Sequence, residues 1–202
     1  MSQDLEALLA TGGDTDAVDR LRNELARRAA ANGVLDVAYR TLDTPVGALL
    51  LAATPDGLIR VAYPREDHDS VLTALAAEVS PRVLAAPRRL DDAARQLEDY
   101  FAGRRQRFEL AVDLRLRSGF RRRVLDSLRQ LPYGGTVSYG VLAGELGKPR
   151  AGRAVGSACA TNPVPIVIPC HRVVRGDGAI GGYVGGSGAK ALLLELEAGP
   201  AQ

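Results

Sequence analysis

Cys170 and His171 are consecutive, and they follow a stretch punctuated by proline: Asn162-Pro163-Val164-Pro165-Ile166-Val167-Ile168-Pro169-Cys170-His171-Arg172-Val173. Each proline fixes φ and removes a backbone donor, so this segment is expected to be stiff, extended and non-helical. A thiol becomes a strong nucleophile as its thiolate, which forms beside cationic or basic groups. His171 and Arg172 supply that company, and they set Cys170 apart from the usual buried, inert cysteine. In an extended segment neighbouring side chains point to opposite sides. His171 is therefore expected to reach Cys170 through a bridging water, with a third group orienting the ring. Glu195 and Glu197, on an expected helix from Ala189 to Glu197, are the candidate carboxylates. A solvated helix face explains either one equally well, and spacing does not choose between them.

The chain around this centre has 202 residues, 46% of them apolar and 25% charged. That composition belongs to a globular protein with a real core, and it excludes a disordered chain. No apolar run approaches the ~18–20 residues of a spanning helix, so no membrane association is expected. The acidic start, MSQDLEALLATGGDTD, has no basic segment followed by an apolar one, which argues against a secretory signal. Cys159 and Cys170 alone form neither a disulfide framework nor a four-cysteine metal site, and a reducing cytoplasm is the expected compartment. Residues 1–115 carry 15 basic and 19 acidic side chains, whereas residues 116–202 carry 11 and 5. A positive C-terminal half can attract a polyanion such as DNA.

The elements that must position the site read as follows. Residues 15–33 suggest an amphipathic helix, preceded by a shorter apolar piece at Leu5, Leu8 and Leu9. From Asp36 the period changes. Segments 37–40, 47–52 and 58–63 are strand candidates with turns at Thr44-Pro45 and Pro55-Asp56-Gly57, a three-stranded meander. Helices are expected over about 68–79 and 90–102, and Phe108, Leu110, Val112 and Leu114 alternate like another extended segment. His68, in a run of charges, reads as a solvated helix start. Further on, Ser118 can cap a helix ended by Pro132, and Ser138 can cap another ended by Gly147. Pro149 opens a third, from Arg150 to about Ala160. The last two, joined at Gly147-Lys148-Pro149, suggest a helix-turn-helix.

That third helix has an unusual content: Ala151, Gly152, Ala154, Gly156, Ser157, Ala158, Cys159 and Ala160. Each helical glycine costs about 1 kcal/mol relative to alanine, so something must come close to it. A neighbouring helix is one explanation and a nucleic-acid groove is the other, the minor groove being only about 6 Å wide. Arg153 is the one long side chain in the middle of the smooth face.

These residues resemble the methylated-DNA–protein-cysteine methyltransferases, the direct-reversal repair proteins for O6-alkylguanine. The resemblance rests on Pro169-Cys170-His171-Arg172-Val173 with Asn162-Pro163, and it extends over about residues 36–199. It includes Thr44-Pro45-Val46-Gly47, Pro132-Tyr133-Gly134, Val137-Ser138-Tyr139, Arg153-Ala154-Val155-Gly156, and Gly181-Gly182-Tyr183-Val184-Gly185-Gly186 followed by Lys190. It implies that Cys170 accepts the alkyl group, that His171 deprotonates it through water, that Glu197 orients His171, and that Asn162 braces the supporting turn. Tyr139 would assist rotation of the flipped nucleotide, and Arg153 would take the extruded base's place in the stack. Ala151, Gly156, Ser157 and Arg172 would lie against DNA. Val173, Tyr183, Val184 and Gly185 would form the substrate pocket, although Val184 stands where many relatives carry a hydroxyl residue. No cysteine precedes Cys159, so no structural zinc or other cofactor is implied.

The resemblance thus implies a monomer that acts once. It would bind double-stranded DNA through the minor groove and take the alkyl group from O6-alkylguanine, and from O4-alkylthymine, onto Cys170. The expected architecture is an α/β N-terminal domain with a small antiparallel sheet, residues 36–115. A mainly helical, winged-helix-like C-terminal domain follows, residues 116–202, and residues 1–35 form a helical extension of unassigned role. Two rivals share some of these features. A lesion-sensing protein of the same fold would lack the acceptor, and Cys170 argues against it. A cysteine hydrolase would use its Cys–His pair repeatedly, and would need neither Arg153 nor a basic C-terminal half.

Overall fold

The computed structural model describes Glu24, Arg28, Ala29 and residues 32–199. The expected apolar piece at Leu5–Leu9 lies outside these residues, as does nearly all of the expected 15–33 helix.

Three strands come first: β1 (Val37–Leu42), β2 (Leu49–Thr54) and β3 (Gly57–Ala62). They pair as the antiparallel meander that the turn residues imply, with Leu42 opposite Leu49 and Thr54 opposite Gly57. A fourth strand, β4 (Val83–Ala85), corrects the all-antiparallel expectation. It lies parallel to β1 in the order β3-β2-β1-β4, so the sheet is mixed. β4 has only three residues, too short for an alternation to be visible in sequence.

Residues Leu49–Ala52 of β2 are all buried because both faces of the sheet are covered. Val37, Leu50, Ala52 and Ile59 pack with Val71 and Leu75 of helix α1 (His68–Glu78) on one side. Leu49, Leu51 and Val61 face the other side and join the main core. There they meet Leu97 and Tyr100 of α2 (Asp91–Phe101) together with the apolar residues of the C-terminal region. His68 starts α1 as expected, but it is half-buried, and its Nε2 is shut off from solvent without a partner among the described residues. The 108–114 segment contributes only an isolated bridge between Val112 and Leu58.

The C-terminal region is built from four helices: α3 (Gly119–Leu128), α4 (Tyr139–Glu145), α5 (Gly152–Ala160) and α6 (Gly186–Ala198). Val124, Leu125 and Leu128 of α3, Leu142 of α4, Val155 of α5 and Leu193 of α6 are fully buried. Ser138 caps α4 by accepting from the Val141 N–H at 3.2 Å, whereas Ser118 sits at the N-cap of α3 without a side-chain bond. Helix α5 begins two residues after Arg150, and α6 begins three residues before Ala189. Two short parallel strands, β5 (Val137–Ser138) and β6 (Val173–Val174), tie the start of α4 to the segment after Arg172. No helix of the described residues is long and apolar enough to cross a membrane.

The proline-rich stretch departs from expectation. It is folded back on itself, with a bridge between Pro165 and Ile168 and Ile166 at φ 73°. Cys170–Arg172 then forms a single 3-10 turn. Proline prevents an α-helix but not a chain of tight turns, and here the turns are closed by bonds from Ile168 N–H to Val164 O and from Arg172 N–H to Pro169 O. A β-branched residue at positive φ costs roughly 1–3 kcal/mol, so the surroundings of Ile166 must hold it there.

Candidate active site

Asn162 does much of that holding. Its Oδ1 accepts from the Val164 N–H at 3.1 Å, and its Nδ2 donates to Ile168 O at 2.8 Å and to Cys170 Sγ at 3.0 Å. The side chain that braces the turn therefore also touches the sulfur. Cys170 is fully enclosed, and burial pushes its thiol up to about 11, against the lowering effects of the Asn162 bond and the Lys190 charge. At rest it is a protonated thiol. Lys190, itself buried, donates from Nζ to Val173 O at 2.6 Å and to Ile180 O. It fixes the strand after the cysteine and places a positive charge near the sulfur.

His171 follows in the same 3-10 turn. Its Nε2 lies 2.8 Å from Glu197 Oε1, and both side chains are buried. Of the two candidate carboxylates, Glu197 is the one beside His171, whereas Glu195 is exposed on the other face of α6. Burial lowers the His171 pKa and outweighs the raising effect of Glu197, so the ring is neutral. Burial would raise Glu197, but the hydrogen bonds from His171, Arg172 and Tyr100 prevail and hold it down at about 2. A neutral ring facing a carboxylate must carry its proton on Nε2, which leaves Nδ1 as an acceptor. Nδ1 is buried and has no partner among the described residues.

Arg172, grouped with the DNA contacts by resemblance, requires a correction. Its guanidinium is buried, donating from Nε to Glu197 Oε2 at 2.8 Å, from a terminal nitrogen to Oε1 at 2.9 Å, and from the other to Leu131 O at 2.6 Å. Its donors are committed to Glu197 and Leu131, and the side chain is only 6% exposed. Gly134 adds its N–H to Oε2 at 3.2 Å. A Cβ at Gly134 would come within 2.9 Å of the Glu197 carbonyl oxygen, so only glycine lets this turn approach α6 so closely.

The remaining candidates lie on α4, on α5, after Arg172 and in the loop before α6. Tyr139 is the first residue of α4 and is half-buried; its ring lies against Gly156 and its hydroxyl near Gly181. Burial, followed by the nearby Cys159 and Cys170, raises its pKa, so it remains a hydrogen-bond donor. Gly152 and Gly156 of α5 lie against Tyr139, although a Cβ there would make only ordinary contact, at 3.9 Å and 3.8 Å, and the exposed face of the helix consists of Arg153, Ala154, Ser157 and Ala160. Among the described residues Arg153 makes no hydrogen bond or ion pair, and Ala151 and Gly156 are half-buried at the edge of the same face. Val173 is buried, whereas Val184 and Gly185 are half-buried in the loop before α6.

Two contributors went unnoticed in the sequence. The Tyr63 hydroxyl, at the end of β3, shares a hydrogen bond with the Tyr183 hydroxyl at 2.9 Å, and the Tyr183 ring stands edge-on to His171 at 6.2 Å. The Tyr100 hydroxyl, on α2, donates to Glu197 Oε1 at 2.7 Å. Both lie far upstream in segments with no other chemical residue, and no local spacing signals their role.

Known proteins resemble this chain over both of its parts. Residues 37–114 match the ribonuclease-like domain of 6-O-methylguanine DNA methyltransferase, and residues 119–199 match its DNA binding domain. The Mycolicibacterium paratuberculosis methylated-DNA–protein-cysteine methyltransferase is 41% identical over 161 residues, covering 80% of this chain and 92% of that protein. The chain belongs to the methylated-DNA–protein-cysteine methyltransferase family. The crystal structure of Mycobacterium tuberculosis O6-methylguanine methyltransferase superposes with a TM-score of 0.72 at 38% identity, covering 82% of this chain and 95% of that one. A structure of the M. tuberculosis protein in complex with DNA gives 0.69 at 38% identity, covering 80% and 92%.

Proposed function

We propose that this chain repairs double-stranded DNA by a single irreversible transfer of the alkyl group from O6-alkylguanine, and from O4-alkylthymine, to Cys170. The observation that carries the reading is the chain of contacts Asn162–Cys170 and His171–Glu197, in which His171 Nδ1, without a partner among the described residues, is available to take the thiol proton.

The resting thiol is protonated, so deprotonation belongs to the reaction itself. Proton transfer from Cys170 to His171 Nδ1, relayed by water, leaves an imidazolium facing the Glu197 carboxylate. The sulfur attacks the alkyl carbon, the carbon–O6 bond breaks, and its electron pair stays on guanine, which takes up one proton through water while His171 gives up the one it took from the thiol. A hydrogen bond from Tyr139 to a ring nitrogen of the base eases its departure. The alkyl carbon lies inside a duplex, so the base must leave the stack at a cost of a few kcal/mol. The exposed face of α5 enters the minor groove, α4 and α5 acting as a helix-turn-helix, and Arg153 fills the gap. The loop carrying Tyr183, Val184 and Gly185 closes over the base.

The protein acts as a monomer, with residues 36–115 and 116–202 as its two domains. The unpaired Cys170 that this chemistry requires suits a reducing cytoplasm. The test is incubation with duplex DNA bearing labelled O6-methylguanine. The label is expected on the peptide containing Cys170, and its release into solution would contradict the reading.

A further inference from the structure

Tyr100 belongs to α2 in the N-terminal domain, yet its hydroxyl ends at the carboxylate that orients His171. The contact is not incidental to packing. Tyr100 is fully buried, with ring contacts to Phe101, Phe108 and Tyr133 that would hold a phenylalanine equally well. The hydroxyl is nonetheless aimed at Oε1, the oxygen that His171 Nε2 also uses. Arg172 completes the set by bonding to both oxygens.

We infer that Tyr100 is a positioning residue for alkyl transfer, through which the N-terminal domain sets the basicity of His171 by sharing the Glu197 oxygen that holds it. The inference rests on the reading of Cys170 as acceptor and His171 as base. A carboxylate oxygen that accepts from a phenol has less negative charge to offer an imidazolium. The phenol therefore keeps His171 neutral and ready to take the Cys170 proton. Without it, the carboxylate would favour the imidazolium more strongly, and the base would be spent at a higher pH. The other ionisable groups around the pair are Arg172, Lys190, Cys170, Tyr183 and Tyr133; the variant retains all of them, and Tyr183 and Tyr133 are the ones that also feel Tyr100.

The experiment is the pH dependence of single-turnover transfer from O6-methylguanine duplex, for the full chain and for Tyr100→Phe. The acidic limb is expected to move to higher pH by roughly half a unit or more, with slower transfer at neutral pH. Replacing Tyr100 with 3-fluorotyrosine, a stronger donor of nearly the same shape, is expected to move the limb the other way. This second variant keeps the test decisive if Tyr100→Phe folds poorly. A limb that stays in place in both variants, or moves the same way in both, overturns the inference. Absence of transfer by the unmodified protein would instead overturn the acceptor reading on which it rests.

Discussion

Asn162 spends its entire side chain on the acceptor segment, and one of its two amide hydrogens goes to the sulfur of Cys170 at 3.0 Å. The brace of the turn and the environment of the nucleophile are thus one side chain. An alkyl group added to Cys170 must occupy space beside that bond, so the product protein is expected to lose part of the brace.

Asn162→Ala leaves the Val164 N–H and the sulfur without this partner in a buried turn, whereas Ile168 O keeps the Cys170 N–H. A destabilisation of about 2–4 kcal/mol is expected, since each unmatched buried group costs about 1–3 kcal/mol. Chemical denaturation of the two proteins measures it, and an unchanged midpoint would contradict the role. The thiol of the variant should also react more slowly with a small alkylating agent, because the Asn162 bond lowers the Cys170 pKa.

Arg153 is exposed and makes no hydrogen bond or ion pair among the described residues, so Arg153→Ala should leave stability within about 0.5 kcal/mol. Repair of duplex DNA should slow far more than transfer from the free base O6-benzylguanine, which needs no flipping. Equal losses on both substrates would remove Arg153 from the extrusion step.

Glu197 is held at about 2 in the folded protein and has an ordinary value of 4.5 when free. A depressed carboxylate stabilises the fold above its unfolded pKa and loses that contribution as pH falls through the folded one. Between about pH 4.5 and 2 the protein should therefore lose on the order of 3 kcal/mol through this group. In Glu197→Gln the loss over that window should be smaller, whereas Glu195→Gln should behave as the parent. Thermal unfolding as a function of pH distinguishes them, and parallel curves for all three would refute the assignment.

Much of this architecture is legible in the sequence, for physical reasons that differ by element. The β1–β3 meander is marked by turns at Thr44-Pro45 and Pro55-Asp56-Gly57 and by a clear change of period. The acceptor segment shows in its residue types, but its shape does not. Proline forbids a helix without saying whether the chain extends or folds back, and the answer depends on Asn162, whose bonds act across six and eight residues. Arg172 was misplaced for a related reason: an arginine next to a reactive site reads as a DNA contact until the buried Glu197 is seen to claim it. Tyr63 and Tyr100 meet the site only through tertiary packing, and that leaves no trace in local spacing.

Gly185 is a sensitive point of the loop before α6, where a Cβ would approach the Tyr63 ring to 2.6 Å. Gly185→Ala should displace either the loop or the tyrosine, at a cost of about 1–3 kcal/mol. It should break the hydroxyl contact between Tyr63 and Tyr183 and weaken transfer from alkylated guanine. An alanine variant with unchanged stability and transfer rate would show that the loop does not need this close approach.

The central claim is that Cys170 accepts the alkyl group once and keeps it. A sulfur that attacks an alkyl carbon becomes a thioether, which has no electrophilic carbonyl for water to attack. The most direct measurement titrates limiting protein with excess O6-methylguanine duplex, counts repaired bases per protein, and determines the mass of the peptide containing Cys170. The expected result is repair that stops at one base per protein, with that peptide heavier by one methylene unit. Many repaired bases per protein, with Cys170 unmodified at the end, would contradict the account and favour a hydrolase.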